Sequence, residues 1–183
     1  METVAVYFPS YHRDALNDRW YGEGWSEWKL LEQAKPLFPG HEQPKLCTWG
    51  SFDEADPVWM EKQIDLAADH GITSFLFDWY WYSGQKFMHR ALEDGFLKAR
   101  NRRRLKFFAM WANHTWGVMP ACREIFRGHS PSTFNHPPST MAEGQALTYD
   151  KPLLEIKHTQ ADLVTVAEYC AEHYFHWIQL PLY

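Results

Sequence analysis

The sequence predicts an α/β fold of the (β/α)8 TIM-barrel type, with residues 1–183 forming a single domain, the N-terminal half of the barrel, about four strand-helix units long. Three observations lead there. Short β-branched and aromatic runs alternate with capped, amphipathic helical stretches, and a strand-helix-strand order implies parallel pairing through right-handed crossovers. The 183 residues are also too few for eight units, which usually occupy about 250. An open half barrel would leave parallel edges unpaired and one sheet face bare, so further units are expected beyond Tyr183.

Thr3 to Phe8 is β-branched and aromatic and stops at Pro9, as a buried strand does. Asp56 followed by Pro57 reads as an N-cap with proline at the first helical position, and Gly71 closes that helix. Met60, Ile64, Ala67 and Ala68 supply its apolar stripe. The second strand is Ile72 to Phe77, which puts Asp78 at its terminus. Residues 86–100 read as a weaker helix with Phe87, Met88, Ala91, Leu92 and Phe96 on one side and Gly95 as a local liability. Leu105 to Met110 is the third strand, and the Pro- and Ser-bearing stretch from Gly128 to Glu143 is a long surface loop. Thr159 and Asp162 form a capping box before a stripe of Leu163, Val166, Ala167 and Cys170, and Trp177 to Tyr183 reads as a fourth strand.

Composition narrows the function. Of the residues 45% are hydrophobic and 22% charged, which suits one folded core and not a disordered chain. A net charge of -5 gives no reason to bind nucleic acid. No apolar run approaches the roughly 20 residues of a membrane span, and no secretory leader is recognisable, so a cytoplasmic location is the default expectation. Cys47, Cys122 and Cys170 lack a Cys-x-x-Cys pattern, and His173 with His176 lacks further ligands, so neither disulfide, metal nor cofactor is expected. The run Arg100, Arg102, Arg103, Arg104 reads as a charged helix end. Ten tryptophans are more than a core of this size needs.

Ligand sites in parallel α/β folds lie beyond the carboxyl ends of the strands. Tyr11, His12, Trp20, Tyr21, Trp25, Glu27 and Trp28 follow the first strand, which itself holds Tyr7. Asp78, Trp79, Tyr80, Trp81 and Tyr82 follow the second, and Trp111, Asn113, His114 and Trp116 the third. Aromatic faces mixed with carboxylate, amide and imidazole groups suit a sugar, whose C–H face stacks while its hydroxyls take directional hydrogen bonds. Tyr7, Tyr11, His12, Trp25, Trp28, Trp79, Tyr80, Trp81, Trp111, Asn113, His114 and Trp116 are therefore candidate saccharide contacts, expected to face one hollow. For Trp20, Trp25 and Trp28, packing is an equal alternative. Asp78 is the candidate supporting carboxylate, and Glu23 or Glu27 could pair with it, as paired carboxylates do in glycosidases. No glycine-rich phosphate loop follows the first strand.

These blocks resemble the WbsX-like family, related to glycoside hydrolase family 99. The resemblance rests on Val4 to His12, Gly22 to Trp28, Ala34 to Pro44, Asp78 to Tyr82 and Trp111 to Trp116, in the same order. It implies a (β/α)8 barrel acting on an oligo- or polysaccharide, by hydrolysis or by glycosyl transfer in surface polysaccharide synthesis; a glycan-binding barrel remnant is a third reading. It also implies that the principal catalytic carboxylates belong to a later Glu-bearing motif, to which nothing in 1–183 corresponds. Asn113-His114-Thr115-Trp116 stands where many relatives carry Glu-Asn-Trp.

Overall fold

A computed structural model describes residues 1–117, 153–157 and 159–175. The expected loop at 128–143, the expected fourth strand at 177–183, Cys122 and His176 lie outside the described residues. Strand β1 (Val4–Tyr7) pairs in parallel with β2 (Ser74–Tyr82), Val4 opposite Ser74 and Tyr7 opposite Phe77. On the other side of β2 a hairpin strand, β3 (Gln85–Phe87), is followed in the chain by β4 (Lys106–Trp111), which pairs in parallel from Ser74 opposite Lys106 to Trp79 opposite Trp111. The parallel order β1-β2-β4 is how a barrel begins and equally how one half of a doubly wound sheet is built.

Helix α1 (Ala15–Tyr21) and helix α2 (Glu27–Gln33) occupy the first connection ahead of α3 (Pro57–Asp69). Asp56 caps α3 as its sequence predicts, its side chain accepting from the Val58 amide at 2.9 Å, with Pro57 opening the helix. Helix α4 (Gln160–His173) carries the full capping box of Thr159 and Asp162.

Two expectations are corrected. β2 does not stop at Phe77 but runs on through Asp78-Trp79-Tyr80-Trp81-Tyr82, so Asp78 lies within the strand, opposite Met110. The aromatic run that reads as a loop is strand-forming in residue type, and β3 folds back antiparallel on its last three residues. Ser83 and Gly84 make the connection, both with positive φ (47° and 94°), as a two-residue hairpin turn of the twist-matched kind requires. Residues 86–100 are likewise not one amphipathic helix: β3 ends at Phe87, and Ala91–Phe96 forms a π-helical turn, with Leu97 N–H donating to Leu92 O at 2.9 Å. Arg102–Arg104 form a short 3-10 turn, a basic helix end as expected, and the stretch also pairs with α3, Arg100 with Glu61 at 3.1 Å and Arg104 with Asp65 and Asp69, both at 2.5 Å.

Side chains alternate across a strand, and the sheet therefore has two chemistries. Phe75, Phe77, Trp79 and Trp81 face Met60, Ile64 and Ala67 of α3 and Ala91, Leu92 and Phe96 of the π-helical turn, forming the main core. Tyr7, Phe107 and Trp111 pack against that same side. The other face carries Val6, Leu76 and Phe108 in one row and Asp78 and Met110 in the next. Among the described residues little covers it: Val6 is 67% exposed, Phe108 49% and Met110 39%.

Candidate functional site

Parallel pairing sends all three connections out at one pole of the sheet, and the aromatic segments meet there. Trp20, Tyr21 and Trp25 from the first connection pack with Tyr80, Tyr82, Phe87 and Trp116 in a second core. The Tyr80 ring stands edge-on to Trp116 at 5.2 Å and to His114 at 6.0 Å, and Tyr82 donates its hydroxyl to His114 O at 3.2 Å. Trp116 is tied by its backbone to Leu154, its amide donating at 2.8 Å. Burial pushes the Tyr82 hydroxyl up to about 12 and Tyr80 higher still, so both phenols remain hydrogen-bond donors at any physiological pH.

Asp78 shares the face of Tyr80 and Tyr82. Burial raises its carboxyl above the ordinary range, with the Tyr80 hydroxyl and His114 offsetting this in part. Its Oδ1 is out of contact with solvent and receives no donor from the described residues. His114, exposed just past the end of β4, acts electrostatically on it, and the exposed Asn113 precedes His114 in the chain. Across the sheet Phe8 is the residue after β1 and Asp78 the residue after Phe77 in the paired register, so the loop bearing Tyr11 leaves the sheet next to Asp78.

That loop is held by a buried acid. Glu54, 1% exposed, accepts from the Tyr11 amide at 2.7 Å, lies 2.9 Å from His12 Nδ1, and accepts from the Tyr7 hydroxyl at 2.9 Å. Tyr7 also lies 2.9 Å from Gln63 Oε1, and burial followed by the Glu54 charge keeps its hydroxyl protonated. Tyr11 packs on Trp28 at 4.5 Å between ring centres, and Trp28 Nε1 donates to Phe52 O at 2.7 Å. Glu27 opens α2 with its amide donating to Ser10 O, and its half-buried carboxyl is raised by desolvation close to Tyr11.

The expected single hollow thus divides by strand parity. Asp78, Tyr80, His114 and Trp116 gather on one face with Trp25, while Asn113 is exposed in the same segment as His114 and Tyr11, Glu27 and Trp28 rim the same pole. Tyr7, Trp79, Trp81 and Trp111 do not join them: odd-numbered positions of β1, β2 and β4 point to the helices. Trp79 donates to the Tyr174 hydroxyl at 2.8 Å and stacks on Trp81 at 5.5 Å, and Tyr7 is spent on Glu54. His12 is sealed beneath the pole, Trp25 and Trp28 are buried plugs, and Glu23 is an exposed partner of Arg13 rather than of Asp78. Glu54 is what the sequence reading missed. It sits in an acidic run, Asp53 to Asp56, legible only as a helix start.

Among the described residues no group of His, Cys, Asp or Glu side chains is placed to hold a metal, and no helix is long and apolar enough to cross a membrane. The class that the fold and the site define is a parallel α/β sheet whose pole gathers phenols and indoles beside a half-buried carboxylate. Within that class the chain belongs to the family described as glycosyltransferase WbsX, whose family model matches residues 3–124. Over 127 residues, 69% of the chain, it is 35% identical to the uncharacterized protein WxcX of two strains of Xanthomonas campestris pv. campestris. The aligned part is 17% of each of those proteins, so the chain spans a small share of the length of the curated relatives it matches. No solved structure matches it.

Proposed function

We propose that the pole around Asp78 binds a saccharide and that the protein cleaves glycosidic bonds in an oligo- or polysaccharide. The observation that carries this reading is the state of Asp78: a carboxylate raised by burial, one oxygen without a donor among the described residues, next to the Tyr80 phenol and the exposed His114. A sugar hydroxyl supplies the donor that Oδ1 lacks, and a partial positive charge developing at the sugar favours the ionised acid. Asp78 is then an orienting or charge-stabilising group, Tyr80 and His114 position hydroxyls, and Glu27 is a second carboxyl at the rim. The principal acid and base belong, in this reading, to other parts of a (β/α)8 barrel of which the sheet is the first portion. The bare apolar face of Val6, Leu76, Phe108 and Met110 supports that portion being an inner wall.

Glycosyl transfer is the second reading, favoured by the description of the family. The two separate on the longer protein. Release of reducing ends from an offered glycan, with no binding of a nucleotide sugar in calorimetry, is the result expected for hydrolysis. Nucleotide-sugar binding with donor-dependent chain extension moves the assignment to transfer. Glycan binding with neither activity reduces the protein to a lectin-like barrel.

A further inference from the structure

A row of aromatic rings leads away from the candidate site along the rim. Tyr11 contacts Trp28 at 4.5 Å, Trp28 meets Phe52 at 5.2 Å, and Phe52 lies against Trp59 at 5.5 Å in a near-parallel stack. Trp49 ends the row, 6.1 Å from Phe52 and 6.3 Å from Trp59. The row stays at the sheet pole because Trp59 belongs to the first turn of α3, the end of that helix that follows the β1 connection. Packing explains Trp28, which is buried and spends its indole N–H on Phe52 O. It does not account for the outer members. Trp49, Phe52 and Trp59 all remain half-buried, and neither Trp49 nor Trp59 has a hydrogen-bond acceptor for its indole N–H among the described residues. Trp59 has its faces occupied by the Phe52 ring and by Lys62, whose ammonium lies 3.7 Å from the ring centre. Trp49 has only tilted and edge contacts from its neighbours, with no ring stacked on it among the described residues, and it is half-buried.

We propose that Trp49, braced by Phe52 and Trp59 at the outer end of the row that starts at Tyr11, is a distal subsite for a saccharide chain threaded from the candidate site. The inference rests on the saccharide reading above and extends it from a sugar to a polymer several units long. Indole faces stack on the C–H side of a pyranose, and an indole N–H supplies a donor to its hydroxyl or carboxylate oxygens. Aliphatic side chains would cover the same area without either property.

The test compares disaccharides with hexasaccharides of the gluco-, manno-, N-acetylgluco- and galacturono-series by calorimetry on the full-length protein. The expected result is that one series binds, that lengthening from two to six units tightens binding at least tenfold, and that Trp49→Ala abolishes this gain while leaving the disaccharide within twofold. Trp49→Tyr keeps most of the gain, which excludes a mere collapse of the segment. If the disaccharide binds in an Asp78-dependent way but length adds nothing, or if Trp49→Ala weakens both probes equally, the distal subsite is wrong and the saccharide reading stands. If no probe binds, both fall.

Discussion

Gly95 has no room for a side chain: a Cβ there would meet the Glu54 backbone oxygen at 2.3 Å and the Met60 methyl at 3.3 Å. The sequence presents it as a weak point in a helix, whereas the π-helical turn uses it to pass close to the segment that carries Glu54. Gly→Ala in an ordinary helix gains about 1 kcal/mol. At Gly95 the sign reverses, and Gly95→Ala costs about 1–3 kcal/mol through overpacking, read as a lower denaturation midpoint. Asp78 gives the opposite kind of prediction. Because burial raises its carboxyl, the ionised form is disfavoured in the fold, so its contribution to stability improves as pH falls through the raised value toward the unfolded one. Asp78→Asn removes that charge in the same shape, and the thermal midpoint at neutral pH is expected to hold or rise. On the proposed function, turnover of a glycan by the full-length protein is expected to fall roughly 10²-fold, the scale of losing one electrostatic contact to the reacting sugar. Unchanged kinetics take Asp78 out of the site.

At the scale of elements, what was legible in the sequence is what local chemistry decides. Asp56-Pro57 and Thr159 with Asp162 place the starts of α3 and α4 because caps act within a turn of the chain. The extent of β2 was not legible, since it is set by β3 and β4 pairing with its aromatic half, and the π-helical turn follows from the Gly95 approach to Glu54, 41 positions away in sequence. Site residues divide for the same reason. The aromatic clusters after each strand are visible, but once β2 runs on to Tyr82 its alternation sends Trp79 and Trp81 to the core and Asp78 and Tyr80 to the pole. Helix α4 is fixed to that core by a polar latch: Glu93 accepts from Lys86 at 2.7 Å, Tyr169 at 2.5 Å and Tyr174 at 2.8 Å. Burial opposes its ionised form, yet the three donors outweigh burial and hold its carboxyl below the ordinary range. A depressed carboxyl stabilises the fold above its unfolded value, about 4.3, and that stabilisation is lost as pH falls through the folded value. Acid titration should therefore release α4 first, seen as loss of amide protection over Gln160–His173, and Glu93→Gln should flatten this pH dependence. An unaltered acid limb in the variant would assign the latch to Lys86 and the tyrosines alone.

For the whole molecule the open question is what meets the second face of the sheet. The row Val6, Leu76, Phe108 is apolar across three strands, and the outer edges of β1 and β4 have no partner among the described residues. An exposed apolar face with open parallel edges is an unstable end state in water, because it invites edge pairing and association. Closure into a barrel removes both features together, while a layer laid over the face removes only the first. Val6→Asp distinguishes a covered face from a bare one. On a surface the substitution changes stability by no more than about 0.5 kcal/mol, whereas burying an unpaired carboxylate in an inner wall costs several kcal/mol. In the full-length protein it is expected to lower the denaturation midpoint by the larger amount. Hydrogen exchange then separates closure from a simple lid. If further strands complete the barrel, the β1 amides that point away from β2 exchange as slowly as those bonded to it. If these edge amides exchange freely while Val6→Asp is strongly destabilising, the face is covered but the sheet is open, and the barrel reading is replaced by a layered α/β sheet.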